Sequence, residues 1–361
     1  MYQALYRKWR PQTFADVIGQ QHITDTLRAQ LQSGRLSHAY LFTGTRGTGK
    51  TTCAKILARA VNCEHPVNGD PCNECAACRG ILDGSVLDVT EIDAASNNGV
   101  DNIRDLRDET RYTPAQVRKR VFIIDEVHML SIGAFNALLK TLEEPPEHVL
   151  FILATTELHK VPATILSRCQ RFDFRRIGAE DISRRLLDVA AGEGIALTEG
   201  AARLIARLAD GAMRDALSML DRAAAAGAVD EKTVTAALGV MGQDDGIRLA
   251  EHLKTGDLAA AVGLLDEYYN AGRDLASVYD QMQTDHTRAR AFVKQHGLHR
   301  QTVMLVLVGQ PGVVRRLYIP FEIRVPAIRK QQRKPALCIR GKCGSADAQR
   351  GSQSGADDFL C

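Results

Sequence analysis

Hydrophobic positions in the first half of the chain come in short runs separated by amphipathic stretches. Apolar runs at 38–43, 86–92, 121–125 and 149–154 have the length and composition of buried parallel strands. Strands of this kind that alternate with amphipathic helices form doubly wound sheets. The pattern between residues 38 and 174 therefore predicts an α/β domain built on a parallel sheet.

Residues 179–240 follow a different pattern, with apolar side chains at helical spacing in a stretch rich in alanine, leucine, arginine and aspartate. This pattern predicts a small helical bundle. Two further helices are predicted between 243 and 280, with Gly256 and Gly272 as breaks. The sheet domain is therefore followed by helical domains.

The helical pattern is lost after about residue 281, where prolines are irregularly spaced and basic residues cluster at 329–334. Residues 286–361 hold fourteen Lys and Arg against four Asp and Glu, whereas residues 1–285 carry a net charge of −7. The overall charge of +3 therefore does not by itself indicate nucleic-acid binding. A disordered basic tail and an out-of-frame translation both account for this last segment.

The length of 361 residues exceeds what one hydrophobic core usually supports and favours two or three domains. No run approaches the roughly 18 to 20 apolar residues of a membrane span. The N-terminus also lacks the apolar core of a signal peptide. We therefore expect a cytoplasmic protein that has no membrane partner.

Residues 44–51 read Gly-Thr-Arg-Gly-Thr-Gly-Lys-Thr, a complete phosphate-binding loop between a predicted strand and a predicted helix at 52–60. In such a loop, backbone N–H groups surround phosphate oxygens, Lys50 reaches the β- and γ-phosphates, and the Thr51 hydroxyl ligates Mg²⁺. A chance glycine-rich turn is the alternative, but the flanking strand and helix favour a nucleotide site. The predicted phosphate-binding residues are Gly44, Thr45, Arg46, Gly47, Thr48, Gly49, Lys50, Thr51 and Thr52.

An acidic pair, Asp125 and Glu126, ends the third apolar run. Asp125 is predicted to share the Mg²⁺ shell with Thr51, and Glu126 to orient or deprotonate the attacking water. Alone, such a pair often marks only the end of a strand, but its position after a phosphate loop favours an ATPase. The next apolar run leads into Thr155 and Thr156, which from the order of the motifs are expected to place a hydroxyl near the γ-phosphate, although threonines are common at strand ends.

Two arginines that lie far from the phosphate loop in the sequence are candidates for contact with the nucleotide. Arg168, in a Ser-Arg-Cys triplet, is placed where the γ-phosphate of a neighbouring subunit could be reached. A surface salt bridge is the alternative. Arg214, in the helical region, could reach the nucleotide from there, although arginines at helix starts are also frequent on solvated faces.

Four cysteines, Cys63, Cys72, Cys75 and Cys78, lie within sixteen residues of sequence. Four thiolates at this spacing suffice for a closed tetrahedral Zn²⁺ site. Disulfides are the competing interpretation, but they are rare in a cytoplasmic ATP-binding chain. We therefore predict structural zinc.

The only tryptophan of the chain lies in the basic and aromatic stretch at 6–14. Such a stretch could contact nucleic acid through stacking and phosphate pairing. It could equally form a lid over the adenine and ribose. We favour the lid because the stretch lies just upstream of the phosphate loop.

Together these motifs resemble those of the bacterial DNA polymerase III gamma/tau family, the ATPases of the sliding-clamp loader within the AAA+ class. The likeness covers roughly residues 1–240 and rests on the segments 7–14, 38–47, 63–78, 91–96, 124–130, 135–146 and 167–169.

The resemblance implies an α/β, P-loop AAA+ core at 1–178 with a zinc module inserted at 61–79. A helical lid follows at 179–242, then a partial helical collar at 243–281, and the basic irregular tail occupies 282–361. The family's collar continues as helices where this chain becomes basic and rich in proline. The resemblance thus covers the ATPase core and lid more fully than the collar.

The resemblance also implies functions for single residues. Thr155 would be the first sensor, Arg214 the second sensor, and Arg168 would act on the neighbour's ATP. The residues that would line the adenine side are Tyr6, Arg10, Pro11 and Ile18.

Family membership would make the chain an ATP-, Mg²⁺- and Zn²⁺-binding ATPase of DNA replication, within the polymerase holoenzyme but not itself a polymerase. Its partners would be the delta and delta-prime subunits, other copies of itself, the β sliding clamp and primed DNA. Two alternatives stay open. Asp125 to His128 match a DExH helicase signature, and a truncated subunit could bind ATP without forming the interface where Arg168 acts.

Overall fold

The computed structural model describes residues 2–225, 227–239, 248–249, 252, 255–270, 303–308 and 314–319. The chain divides into two units, residues 1–291 and 292–361. The predicted boundary at residue 242 lies outside the described residues, as does most of the predicted tail.

Five parallel strands form the central sheet in the order β2-β3-β4-β1-β5. The strands are β1 (Ala39–Thr43), β2 (Val89–Asp93), β3 (Arg120–Asp125), β4 (Val149–Thr155) and β5 (Gln170–Asp173). The four predicted apolar runs each overlap one of the first four strands, with the ends differing by up to three residues. The edge strand β5 was not predicted, because only Phe172 of its four residues is buried and no apolar run marks it.

Alternation along the strands divides the core between the two faces of the sheet. Tyr40 and Phe42 of β1 pack on one face, where they join apolar residues of the helices α2 (Gln21–Ser33) and α3 (Lys50–Asn62). Leu41 lies in the cluster on the other face. There it joins residues of α5 (Val100–Glu109) and α6 (Ile132–Glu143), which follow the short helix α4 (Ala76–Asp83).

Parallel pairing brings the carboxyl ends of three strands to one edge of the sheet. Thr43 of β1 is in register with Thr155 of β4, and β3 ends beside β4 at Asp125. Ligands of open α/β sheets bind at this edge. The loop after β1 therefore starts beside the residues that follow β3 and β4.

A bundle of four helices with its own apolar cluster follows the sheet domain. Its helices are α8 (Ala179–Glu193), α9 (Glu199–Leu208), α10 (Met213–Ala224) and α11 (Glu231–Leu238), and the short helix α7 (Ala163–Leu166) precedes β5. Thr198 caps α9 by accepting a hydrogen bond from the Ala201 amide, and Gly194 ends α8 in the left-handed conformation. The bundle predicted for residues 179–240 is thus present.

The N-terminal helix α1 (Leu5–Lys8) packs with this bundle rather than with the sheet. Leu5 is buried in the bundle's apolar cluster, and Tyr6, Trp9 and Ile18 pack against it. The sequence pattern did not indicate this arrangement. The N-terminal segment therefore packs on the helical bundle, although in sequence it directly precedes the sheet domain.

Beyond residue 242 the described residues include a helix and two strands with defined bounds. The helix α12 (Leu258–Asn270) lies in the region where two helices were predicted. The strands β6 (Val303–Val308) and β7 (Val314–Ile319) pair antiparallel, in a segment expected to be irregular. Both strands are rich in valine, leucine and isoleucine. The β-branched residues among them favour strand formation. None of the helices described has the length and apolarity needed to cross a membrane.

Candidate nucleotide site and cysteine cluster

A cavity of about 870 Å³ opens at the carboxyl edge of the sheet, between the sheet and the helical bundle. The predicted site residues that line it are Tyr6, Arg10, Pro11, Ile18, Arg46, Gly47, Thr48, Gly49, Lys50, Thr51, Thr52, Asp125, Glu126 and Arg214. The predicted residues Gly44, Thr45, Thr155 and Arg168 do not line it. Most of the predicted site therefore meets in one cavity.

The loop that follows β1 holds the Lys50 amine at its centre. Lys50 Nζ donates to the carbonyl oxygens of Gly44 at 2.8 Å and of Thr45 at 2.9 Å. Burial lowers the pKa of Lys50, and the nearby carboxylates of Glu126 and Asp125 oppose this shift. Gly44 and Thr45 thus contribute to the site by holding the lysine.

Gly47 provides the point where the loop and the helical bundle meet. Its φ of +79° lies in the left-handed region, and a Cβ at this position would come within 2.7 Å of the Ala212 Cβ. Ala212 is the residue that precedes α10, the helix that carries Arg214. Glycine is therefore required both for the turn of the loop and for its contact with the bundle.

Thr51 and Asp125 bring a hydroxyl and a carboxylate together next to Lys50. Thr51 Oγ1 donates to Asp125 Oδ2 at 2.7 Å, and Asp125 Oδ1 accepts from the Glu126 amide at 3.0 Å. Oxygen ligands of this kind are the ones that Mg²⁺ prefers. The two side chains therefore fit the magnesium-binding pair predicted from the sequence.

Thr155 and Thr156, the two threonines at the end of β4, contact the residues that follow β3 and do not line the cavity. Its side chain is fully buried, and its Oγ1 contacts His128 Nδ1 at 3.0 Å. The amide and the hydroxyl of the next residue, Thr156, both donate to Glu126 Oε2, at 3.2 and 2.9 Å. The turn after β4 therefore contacts both His128 and Glu126.

Arg168 lies outside the cavity and makes the surface ion pair that was its alternative interpretation. Its guanidinium binds Glu143 Oε1 at 2.6 Å and the Thr164 carbonyl at 2.7 Å. One third of the side chain is exposed. Within this single chain Arg168 therefore does not contact the phosphate loop.

The N-terminal segment lines the cavity from the side of the bundle. The Arg214 guanidinium lies 4.9 Å from the centre of the Tyr6 ring, which is a cation–π distance. Arg10 Nε donates to Thr52 Oγ1 at 3.2 Å, so its guanidinium lies against the phosphate loop. Burial lowers the pKa of Arg10, whereas Glu91 raises it.

Trp9 fastens this segment to α8. Its indole Nε1 donates to Glu193 Oε1 at 2.6 Å, and the Arg185 guanidinium lies 5.5 Å from the centre of its ring. Lys8 Nζ adds an ion pair with the same carboxylate at 2.7 Å. The sequence singled out Trp9 as the only tryptophan but gave no sign of its partner, because Glu193 is 184 residues away.

The four predicted cysteine ligands converge. Their Sγ atoms lie within 4.8 Å of one another, and all four thiols are free. The amides of Glu74 and Cys75 donate to Cys72 Sγ and lower the pKa of that thiol to about 6. Burial raises the pKa of Cys63 and of Cys78.

Two family models match the chain. One, described as the delta subunit of DNA polymerase III, matches residues 19–178. The other, described as the ATPase lid domain of a DNA polymerase III clamp loader subunit, matches residues 181–229. The two matches cover the sheet domain and most of the helical bundle.

Among curated proteins, DNA polymerase III subunit gamma of Buchnera aphidicola is 43% identical over 283 residues, which cover 78% of either chain. The chain belongs to the gamma/tau family of DNA polymerase III subunits. Subunit tau of Bacillus subtilis is 56% identical over 283 residues, and subunit tau of Escherichia coli is 49% identical over 268 residues. The matches cover 78% and 74% of this gamma/tau chain but only 50% and 42% of those relatives, so it spans about half their length.

Solved structures show the same fold at low identity. The RuvB Holliday junction branch migration motor of Thermotoga maritima matches with a TM-score of 0.50 and 17% identity, over 71% of this chain and 85% of that one. A mutant of the same motor, in which serine replaces one alanine, matches with a TM-score of 0.51 and 16% identity, over 82% and 93%. The gamma/tau chain therefore has an AAA+ fold, a parallel five-stranded sheet followed by a helical lid.

The attachment of Trp9 to the lid gives a prediction that its fluorescence can test. In the variant Gly192→Ala, the new Cβ would lie 2.5 to 2.6 Å from atoms of the indole ring, so the ring must move. We expect a red-shifted emission and stronger quenching by iodide. The signal is unambiguous because the chain has one tryptophan.

Gly178→Ala is the matched control, since a Cβ there meets only Asp181 Oδ2, at 3.4 Å. An unchanged spectrum in Gly192→Ala would contradict the described packing of Trp9 on α8.

Proposed function

We propose that the chain binds and hydrolyses ATP as a subunit of the bacterial clamp loader, and so drives the loading of a sliding clamp on primed DNA during replication. The observation that carries this proposal is the convergence of Lys50, Thr51, Asp125 and Glu126 in one cavity beneath the lid. Membership in the gamma/tau family supports it. The activity and the partners of the whole assembly are proposals here, since the chain spans about half the length of its tau relatives.

In this proposal the loop holds the phosphates of ATP. Lys50 would exchange its two carbonyl partners for the β- and γ-phosphate oxygens, because a phosphate is the stronger acceptor. Thr51 and Asp125 would hold Mg²⁺, which supplies the positive charge that offsets charge on the phosphates. Glu126 would orient the attacking water and accept its proton, while Thr156 fixes the carboxylate that does so.

The other end of the nucleotide would lie between the N-terminal segment and the lid. Tyr6, Pro11 and Ile18 provide apolar surface for the base. Arg10 would serve the phosphates rather than the adenine, because its guanidinium lies at Thr52. Arg214 would leave the Tyr6 ring to contact phosphate as the second sensor.

Arg168 is proposed to act in trans on the ATP of a neighbouring subunit. A guanidinium on an exposed ion pair can change partners at little cost, because a surface ion pair contributes at most about 1 kcal/mol. An arginine of this kind stabilises the charge of the transferring phosphoryl group. The partners would be delta, delta-prime and further copies of this chain, with the β clamp and primed DNA as the substrates of the ring.

The cysteine cluster is proposed to bind structural Zn²⁺. Four thiols within 4.8 Å match the ligand number of a closed site, and no disulfide links any of them. Zn²⁺ would join α4 to the loop before it and displace the thiol protons on binding. The site would be structural, because four protein ligands leave no position for a reactant.

A DExH helicase and direct DNA binding by this chain are less well supported. A DExH helicase would require a second motor domain, and the family matches end with the lid at residue 229. A basic DNA-binding face is also not indicated by the charge of residues 1–285. A cytoplasmic location agrees with the proposed role in replication.

The role of Glu126 is tested with the isolated chain. In Glu126→Gln, we expect ATP hydrolysis to fall by roughly 10²- to 10⁴-fold, the usual contribution of a general base. Binding of a fluorescent ATP analogue should be kept, because the amide retains the acceptor for Thr156. Lys50→Ala is the companion variant, and it should lose binding itself. Hydrolysis at the wild-type rate in Glu126→Gln would overturn the assignment.

The role of Arg168 is tested in the assembly with delta, delta-prime, β clamp and primed DNA. The wild-type rate of ATP hydrolysis should exceed that of the isolated chain. Arg168→Ala should remove this stimulation, by roughly 10³-fold if it contributes as an arginine finger does. Arg171→Ala is the matched control, because Arg171 is an exposed arginine with its own ion pair to Asp173. No stimulation of the wild type would favour the alternative of a subunit that binds ATP but cannot form the interface.

Metal analysis of the purified protein tests the cysteine cluster. We expect about one zinc ion per chain, the content of a single tetrahedral site. Cys75→Ser should lower this content, whereas Cys169→Ser, outside the cluster, should not. Acidification should release the metal, because protons compete for the thiolates. A metal-free wild-type protein whose stability is unaffected by chelators would contradict the proposed Zn²⁺ site.

A further inference from the structure

His128 is a buried polar residue beside the proposed water-activating carboxylate. Its side chain is only 5% exposed, yet both ring nitrogens face polar atoms. Nδ1 lies 3.0 Å from Thr155 Oγ1 and 3.4 Å from Glu126 Oε2. Nε2 lies 3.4 Å from Glu157 Oε1.

The backbone around Glu126 explains how His128 reaches this position. Glu126 has a φ of +48°, which is uncommon for a residue other than glycine. A single 3-10 turn, Val127–Met129, follows directly. The turn reverses the chain and brings the imidazole of His128 back to the carboxylate of Glu126. A residue in a strained conformation next to reactive groups is a sign of function.

His128 also holds the segment that binds Glu126 from the other side. Thr155 Oγ1, its partner, accepts a hydrogen bond from the Glu157 amide at 3.0 Å. Thr156 lies between these two residues and donates both its amide and its hydroxyl to Glu126. The imidazole therefore connects the end of β3 with the turn after β4.

We propose that His128 is a positioning residue for ATP hydrolysis, which fixes the Glu126 carboxylate through Nδ1 and through the Thr155–Glu157 turn. This inference rests on the proposed function. His128 does not line the cavity, so it acts through Glu126 and Thr156 and not on the nucleotide. Its loss should change the turnover of bound ATP and leave the affinity for ATP unchanged.

Two amide substitutions separate the two ring nitrogens. The side-chain amide of asparagine occupies the place of Nδ1, and that of glutamine the place of Nε2. In His128→Gln the contacts of Nδ1 with Thr155 and Glu126 are lost, and we expect kcat to fall about 10- to 100-fold, the range for removing the partner of a buried polar group. In His128→Asn those contacts are kept, and kcat should stay within about threefold of the wild type.

The experiment measures single-turnover ATP hydrolysis, equilibrium binding of ATP and thermal unfolding of the full chain. His159→Gln is the matched control, because His159 is 75% exposed and also lies near Glu157. A fall in kcat in His128→Gln, with rescue by His128→Asn and unchanged affinity and melting temperature, supports positioning. Equal rates in all variants, or a parallel loss of affinity and melting temperature, would refute it.

The failure of this inference can be told apart from the failure of the proposed function. If the wild type hydrolyses ATP and Glu126→Gln abolishes hydrolysis, the proposed function stands whatever His128 does. In that case wild-type turnover in His128→Gln overturns only the positioning role. The double variant His128→Gln with Thr156→Ala adds a second criterion: strictly additive effects would mean that the two residues do not hold the same carboxylate.

Discussion

Parallel pairing of β4 with β1 on one side and β3 on the other is the constraint on which the candidate site depends. All seven residues of β4 are buried, so its register cannot shift without moving apolar side chains between the two core clusters. This register sets Thr43 beside Thr155 and fixes where Asp125 ends β3. The loop around Lys50, the acidic pair and the turn after β4 meet because their strands are aligned.

The charged groups at the centre of the site each have a partner within the protein. Lys50 is 6% exposed and satisfied by carbonyl oxygens, and Asp125 is satisfied by a hydroxyl and an amide. Without its partners, the buried amine of Lys50 would carry a desolvation penalty. These partners are weaker than phosphate or a divalent cation, so the same groups remain available for a ligand.

Local patterns predicted the parts of this structure that local sequence determines. The apolar runs marked four strands, the glycines and Lys50 marked the loop, and cysteine spacing marked a cluster that does converge. Such patterns could not predict contacts between segments that are distant in the sequence. The order of the motifs indicated the Thr155–Thr156 pair but not that these residues contact His128 and Glu126. The partnership of Trp9 with Glu193, and of Thr155 with His128, depends on packing that the spacing of residues does not encode.

The attachment of the N-terminal helix to α8 has a thermodynamic consequence. One wall of the cavity comes from the sheet, and the other from residues that pack with the lid's apolar cluster, among them Tyr6, Ile18 and Met213. A molecule that contacts both walls stabilises the association of the sheet domain with the lid by its own binding free energy. By linkage, a substitution that weakens the contact between the sheet domain and the lid must also weaken the affinity for that molecule. This holds even where the substituted residue does not touch the ligand. The affinity for such a molecule therefore also reports the free energy of association between the sheet domain and the lid.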